Sequence, residues 1–306
     1  MRIVTRTGLG LLAWGLLASV AVAADGTPVQ VGEGKVFPES ITSTADGTII
    51  AGSFMLGQIF KAAPGAASAT AWIAPPAEGP GAVIGVYADE ATKTLWACYS
   101  DAAIFSGQPS KPSVLRAYDL EAGTEKGSYP MPESTFCNDI ATTADGTAYA
   151  TDTIGGRLFR LKPGAAALEE WFADPQLASL DGLSFGPDGA LYLNTVSTNK
   201  LFRLDMGADG AAGTLTELTL SEPIKGPDGM RFGDDGKLYL AENGAGRVDA
   251  VTIEGDKATI SVVASGYDMP TAVSKTGDTL FVGEAKFSQM QAEDPGKFYV
   301  YAVSLK

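Results

Sequence analysis

The chain has 306 residues, with 36 Asp plus Glu against 22 Lys plus Arg, and it contains no histidine. The missing imidazole excludes Ser-His-Asp and Cys-His nucleophiles, imidazole zinc sites and histidine general bases. A formal charge of −14 with so few basic residues argues against polyanion partners such as nucleic acid, which need clustered Lys and Arg, and favours small neutral or cationic ones.

Residues 1–23 carry Arg2 and Arg6, then the apolar run LGLLAWGLLASVAV, then Ala-Val-Ala before Ala24. This order of basic head, apolar middle and small-residue site is that of a secretory signal peptide. The apolar run is shorter than the roughly 18–20 residues that span a bilayer. The expected mature chain is therefore 24–306, a single domain that is periplasmic or secreted, cleaved near Ala23 and free of the membrane afterwards. Losing the leader removes two basic residues and no acidic one.

Beyond residue 40 the chain repeats. Hairpins are expected at STADGTIIAGS (43–53), ADEATKTLWACYSD (88–101), TTADGTAYATDT (142–153), FGPDGALYLNT (185–195), FGDDGKLYLAEN (232–243) and VSKTGDTLFVGE (273–284). Their spacing of about 40–50 residues is that of propeller blades or another repeat array. The Asp-Gly pairs at 46, 145, 188 and 235 predict type I′ turns. A third strand follows each hairpin, as in GRLFRLK, and a fourth follows the first five, as in LEEWFA, which makes four strands per repeat. The sixth copy ends after its third strand at Lys306, and PVQVGEGKVF at 28–37 is the segment left to complete it. The expected fold is an all-β six-bladed β-propeller whose last blade takes its outer strand from the N-terminal segment, which leaves no free sheet edge at the seam. GLSFG at 182–186 matches G-x-S-x-G, but Ser184 lies inside a strand pattern and has no histidine partner.

Aligning the copies on the aromatic or aliphatic residue that follows each turn, three after the glycine in the four Asp-Gly copies, gives Ile50, Trp96, Tyr149, Tyr192, Tyr239 and Phe281; eleven residues earlier stand Glu39, Gly85, Asn138, Asp181, Asp228 and Pro270. Four of these six slots hold an oxygen ligand. The first strand of each blade lines the central channel, so Glu39, Asn138, Asp181 and Asp228 are expected to face one another at one mouth. Three carboxylates that close raise one another's pKa unless a cation neutralises them. A donor set without Cys or His suits a hard ion, Ca²⁺ first, with Mg²⁺ and Mn²⁺ as alternatives. Taken singly, each of these residues also fits a turn or strand cap; their shared register favours the ion. Asp152, Asn194 and Asn243, at the ends of second strands, are candidate substrate contacts at the same mouth. Cys98 and Cys137 fall near that mouth on adjacent blades; a disulfide and two buried thiols are both open to them.

The PES at 38–40, ND at 138–139, DG at 181–182 and PDGM at 227–230, together with the segment PDGM…DGKLYLAENGAGRV at 227–248, resemble the regucalcin/gluconolactonase (senescence marker protein) family over essentially the whole mature chain. The resemblance implies a six-bladed propeller, one divalent metal in the channel and hydrolysis of sugar lactones or related small cyclic esters. It implies Glu39, Asp181 and Asp228 as metal ligands and Asn138 as a ligand or substrate contact. The catalytic residues on that reading are Asp228 and Asp181, one of which accepts the proton of a metal-bound water. Two positions depart from the family pattern. Asp181 stands where the family usually has Asn, and Phe136 stands where some members place a sugar-binding Arg, which turns the expectation toward a more apolar lactone or ester. Other functions stay open on this fold: a non-catalytic ligand- or protein-binding propeller with a structural ion, and a synthase relying on a glutamate such as Glu242 or Glu284. Oligomeric state leaves no signal in the sequence.

Overall fold

The alternation of the sequence becomes strands because second strands such as Ile49–Ser53 and Ala148–Asp152 are buried at every residue between neighbouring sheets. The structure, a computed structural model, describes residues 26–132 and 135–306; the leader expected at 1–23 lies outside the described residues. Cys137–Thr142, Ala148–Asp152, Arg157–Leu161 and Glu169–Ala173 form one four-stranded antiparallel sheet. Ala82–Asp89 and Leu180–Phe185 each open another of the same order. Pro227–Phe232 opens a sheet whose fourth strand, Lys257–Ser265, also pairs in parallel with the short strand Thr219–Leu220. Pro38–Ser43 and Pro270–Thr276 open the two ends of one eight-stranded sheet. Its centre is Val29–Val31, antiparallel to Tyr299–Ser304 with Val29 opposite Val300, and parallel to Ser68–Ile73 with Gln30 opposite Ser68. The fold is all-β, with only short 3₁₀ turns as helix among the described residues.

The six leading strands pack side by side in sequence order, and Pro270–Thr276 returns to Pro38–Ser43, so they surround one axis. Side-chain hydroxyls stitch neighbours where no ladder runs: Ser40 Oγ accepts from Val86 N at 3.1 Å, Ser184 Oγ from Phe232 N at 3.0 Å and Ser274 Oγ from Ser43 N at 2.9 Å. Ser184 of the G-x-S-x-G match is thus a tie between strands. Apolar contacts between sheets form the core; Tyr149, for instance, meets the edge of Phe185 in the next sheet with centroids 5.4 Å apart, and packs on Trp171 of its own sheet at 4.9 Å.

The Asp-Gly turns differ from the type expected. Gly47, Gly146, Gly189 and Gly236 have φ of 89, 84, 80 and 76°, but the preceding aspartates are absent from the positive-φ residues. Gly47 N donates to Thr44 O at 2.9 Å and Thr44 N to Thr48 O at 3.0 Å. That is a type I turn followed by a left-handed glycine in a G1 bulge. The aspartate is selected for its side chain: Asp46 Oδ1 accepts from Thr48 N at 2.9 Å and from Thr44 Oγ1 at 2.6 Å.

Candidate functional site

Each leading strand breaks register near its start. The pairing jumps between Pro38 and Ser40, Val83 and Gly85, Cys137 and Ile140, Leu180 and Leu183, Pro227 and Met230, and Pro270 and Ala272. A bulge frees a side chain from the ladder and re-aims it, and the freed positions include Glu39, Asn138, Asp181 and Asp228. A fixed count of eleven residues misassigns the other two slots. Trp96 pairs with Tyr87 and Phe281 with Ser274, which moves these slots from Gly85 and Pro270 to Ile84 and Thr271, because one hairpin turn is longer by a residue and the other shorter. Gly85 cannot project a side chain at all: a Cβ there would lie 2.0 Å from Asn138 O.

The four oxygen donors are 5–8% exposed and line the same small channel mouth. Asn138 Nδ2 donates to Asp181 Oδ2 at 3.0 Å and to Thr153 Oγ1 at 3.1 Å. Asp228 accepts from Asn243 Nδ2 at 2.7 Å and from Gly229 N at 2.9 Å. Burial, then the neighbouring Asp228 and Asp181 carboxylates, pushes the Glu39 carboxyl well above its usual range. Burial followed by Asp228 does the same to Asp181. Asp228 is pushed up to about 7, by burial first. The one basic side chain lining this mouth among the described residues is Arg231, and its guanidinium is held by Asp139 at 2.6 and 2.7 Å.

Asp181 Oδ1 is buried with no hydrogen-bond partner. An orphaned acceptor among carboxylates that lack a free cation, in a donor set made only of oxygen, fits a hard divalent ion. As the side chains stand, no three Asp, Glu, Cys or His among the described residues are close enough to chelate an ion. The fourth donor is the amide of Asn138, which presents Nδ2 to Asp181; a half-turn of that amide exchanges Nδ2 for Oδ1.

The remaining expected contacts divide. Asn243 reaches the cavity above the carboxylates, which measures about 420 Å³. Asp152 and Asn194 do not reach it. Asp152, fully buried, accepts from Phe136 N at 2.8 Å and pairs with Arg157 at 2.8 Å; Asn194 accepts from Gly182 N and donates to Asp228 O. They brace the strand starts. Glu242 and Glu284 do the same, accepting from Lys225 N and Asp268 N. Cys98 and Cys137 form a disulfide with Cα atoms 5.3 Å apart, fastening one sheet's second strand beside Asn138 of the next. Sequence reasoning missed Arg231, whose partner Asp139 is 92 residues away, and the aromatic wall of the cavity. The wall includes Phe54, Phe105 and Phe287, which come from connections that carry no periodic signal.

Residues 37–286 match the SMP-30/Gluconolactonase/LRE-like region, and the chain belongs to that family. No curated protein matches it by sequence. Solved structures of similar fold include the calcium-binding protein regucalcin from Agrobacterium tumefaciens, with a TM-score of 0.64 at 19% identity over 90% of this chain and 94% of that one. A luciferin-regenerating enzyme gives 0.65 at 14% identity over 89% and 92%. Virginiamycin B lyase from Staphylococcus aureus gives 0.63 at 17% identity over 83% and 80%. At such identities the likeness is one of fold, and it covers proteins of differing chemistry.

Proposed function

We propose that this chain is a metal-dependent hydrolase of lactones, working at one mouth of the channel of a single six-bladed propeller that spans 24–306. The pairing of Val29–Val31 with Tyr299–Ser304 supports a last blade completed by the N-terminal segment. The disulfide supports export to an oxidising compartment, periplasmic or secreted, with the leader removed near Ala23.

The observation that carries the reading is the partnerless Oδ1 of Asp181 among three buried carboxylates on separate strands of one ring. Glu39, Asn138, Asp181 and Asp228 would hold the ion, Ca²⁺ by the hardness and looseness of the set. When bound, a divalent ion polarises a carbonyl and lowers the pKa of a water. The protein's own part is proton handling and positioning. Asp228, buried at the mouth beside Asp181 and Glu39, is placed to accept a proton from the attacking water. Asn243 and Gly229 N fix its two oxygens in place. Asp181 is the second candidate base. Water oxygen bonds to the acyl carbon, the endocyclic C–O bond breaks, and the released ring oxygen takes the proton, giving a hydroxy acid.

The test is hydrolysis of a panel of sugar and aliphatic lactones by the mature protein, followed by proton release, with chelator and with Ca²⁺ restored. Turnover that disappears with chelator and returns with Ca²⁺ is expected. An ion bound without turnover of any lactone would refute the hydrolase and leave a ligand- or protein-binding propeller with a structural ion.

A further inference from the structure

The cavity over the carboxylates has two unlike halves. Its floor is the carboxylate ring and its wall is apolar, made of Phe54, Ile84, Phe105, Phe136, Ile154 and Phe287. The aromatic members come as two pairs: Phe105 on Phe136 with centroids 4.6 Å apart, and Phe54 on Phe287 at 5.1 Å. Phe136 is buried, whereas Phe105 is 60% and Ile154 45% exposed, both at the rim. Large apolar side chains left open on a cavity wall are covered when a ligand enters.

Phe105 is held in place by construction. It sits on the short helix Ala102–Ser106, whose start is capped by Asp101 accepting from Ala103 N at 3.0 Å. Asp101 also accepts from Lys111 N at 3.0 Å, which ties the returning chain to the same cap. Gly107, at φ 67°, ends the helix. A ring displayed this way on a braced turn gives contact area at low entropic cost.

No Lys or Arg among the described residues lines this cavity, so an anionic substituent finds no countercharge there, and the polar side chains Thr153, Ser179, Ser197 and Asn243 that line it are separate from the aromatic wall. We infer that the substrate is a neutral lactone bearing an apolar alkyl or aryl substituent, with the ester on the carboxylate floor and the substituent against the Phe105–Phe136 wall. This inference rests on the hydrolase reading above. The reaction is unchanged: water adds at the acyl carbon and the ring C–O bond opens to the hydroxy acid.

The experiment uses the mature, Ca²⁺-loaded protein and two readouts. In the first, kcat/KM is measured for γ-lactones of increasing unbranched alkyl chain and for glucono-δ-lactone. It should rise about fourfold per methylene until the wall is covered, the factor carried by burial of one CH₂, and exceed the value for the sugar lactone. Phe105→Ser, a change at an exposed residue, should flatten that rise. In the second, the neutral dye N-phenyl-1-naphthylamine is displaced by the same lactones, and displacement should sharpen with chain length and weaken in Phe105→Ser. Glucono-δ-lactone turned over faster than the alkyl series, or a rate independent of chain length, overturns the apolar substrate and leaves the hydrolase standing. Chain-dependent displacement without turnover supports the apolar wall and overturns the hydrolase. Absence of both displacement and chain dependence overturns the inference outright.

Discussion

Replacing both Cys98 and Cys137 by Ala removes a crosslink that closes a loop of 39 residues between adjacent sheets. Chain entropy alone assigns such a loop about 4 kcal/mol of stabilisation. In a domain of this size, that corresponds to a fall in Tm of about 8–16 °C. Alanine avoids leaving a hydroxyl in two positions that are fully buried. The assay is chemical and thermal unfolding of the double variant beside the oxidised and the reduced parent; reduced parent and variant should agree. Cys137 immediately precedes Asn138, so Ca²⁺ affinity by calorimetry should fall as well. Unfolding of the variant within about 1 kcal/mol of the oxidised parent would refute the assignment, because no loop closure of this length is worth so little on that account.

Asp228→Ala should lower kcat/KM by about a hundredfold or more, the scale of a lost general base, while circular dichroism stays that of the parent. Asp181→Asn removes one charge from the ring and should weaken Ca²⁺ binding roughly tenfold or more by calorimetry; unchanged affinity would place the ion elsewhere. Adding Ca²⁺ at a hundred times its Kd should stabilise the protein by about 2.7 kcal/mol, read as a rise in Tm that chelator reverses. Away from the site, burial and then Glu242 push the Asp249 carboxyl up to about 9. The folded chain therefore keeps a proton that the unfolded chain releases above about pH 4, and stability should fall as pH rises from there toward about 9. Asp249→Asn removes that slope, so urea unfolding should show its advantage over the parent widening by about 4 kcal/mol between about pH 5 and pH 8; a constant gap would show that Asp249 does not carry the proton.

The repeat was legible because hairpin chemistry recurs at a near-constant interval, and the four oxygen donors were legible because they share one register. The two misassigned slots came from the same regularity. The hairpin at 88–101 has one more residue in its turn and that at 273–284 one fewer, and a count along the chain is blind to a bulge that only pairing reveals. Asp152 and Asn194 showed the right chemistry at the right strand ends. Their side chains, however, satisfy backbone N–H groups at Phe136 and Gly182, and a buried donor left unpaired costs more than a rim contact gains. The Phe105 wall was illegible because its position depends on a capped turn.

The residue after each slot shows how site and fold constrain one another. A Cβ at Gly85, Gly182 or Gly229 would come within 2.0, 2.5 and 2.6 Å of the carbonyl oxygens of Asn138, Asp228 and Thr271 on the next strand. Glycine at these three positions lets adjacent strand starts approach closely enough for their slot side chains to share one mouth. Where Asp139 takes the place of glycine, it accepts from Leu183 N at 3.1 Å and grips Arg231 from across the ring. Its charge is thus neutralised one layer below Asp181 and Asp228, and Arg231 is not available to neutralise them. The same pair leaves the carboxylates above it without a basic partner, which is the physical reason for proposing the ion among Glu39, Asp181 and Asp228 rather than one layer below them.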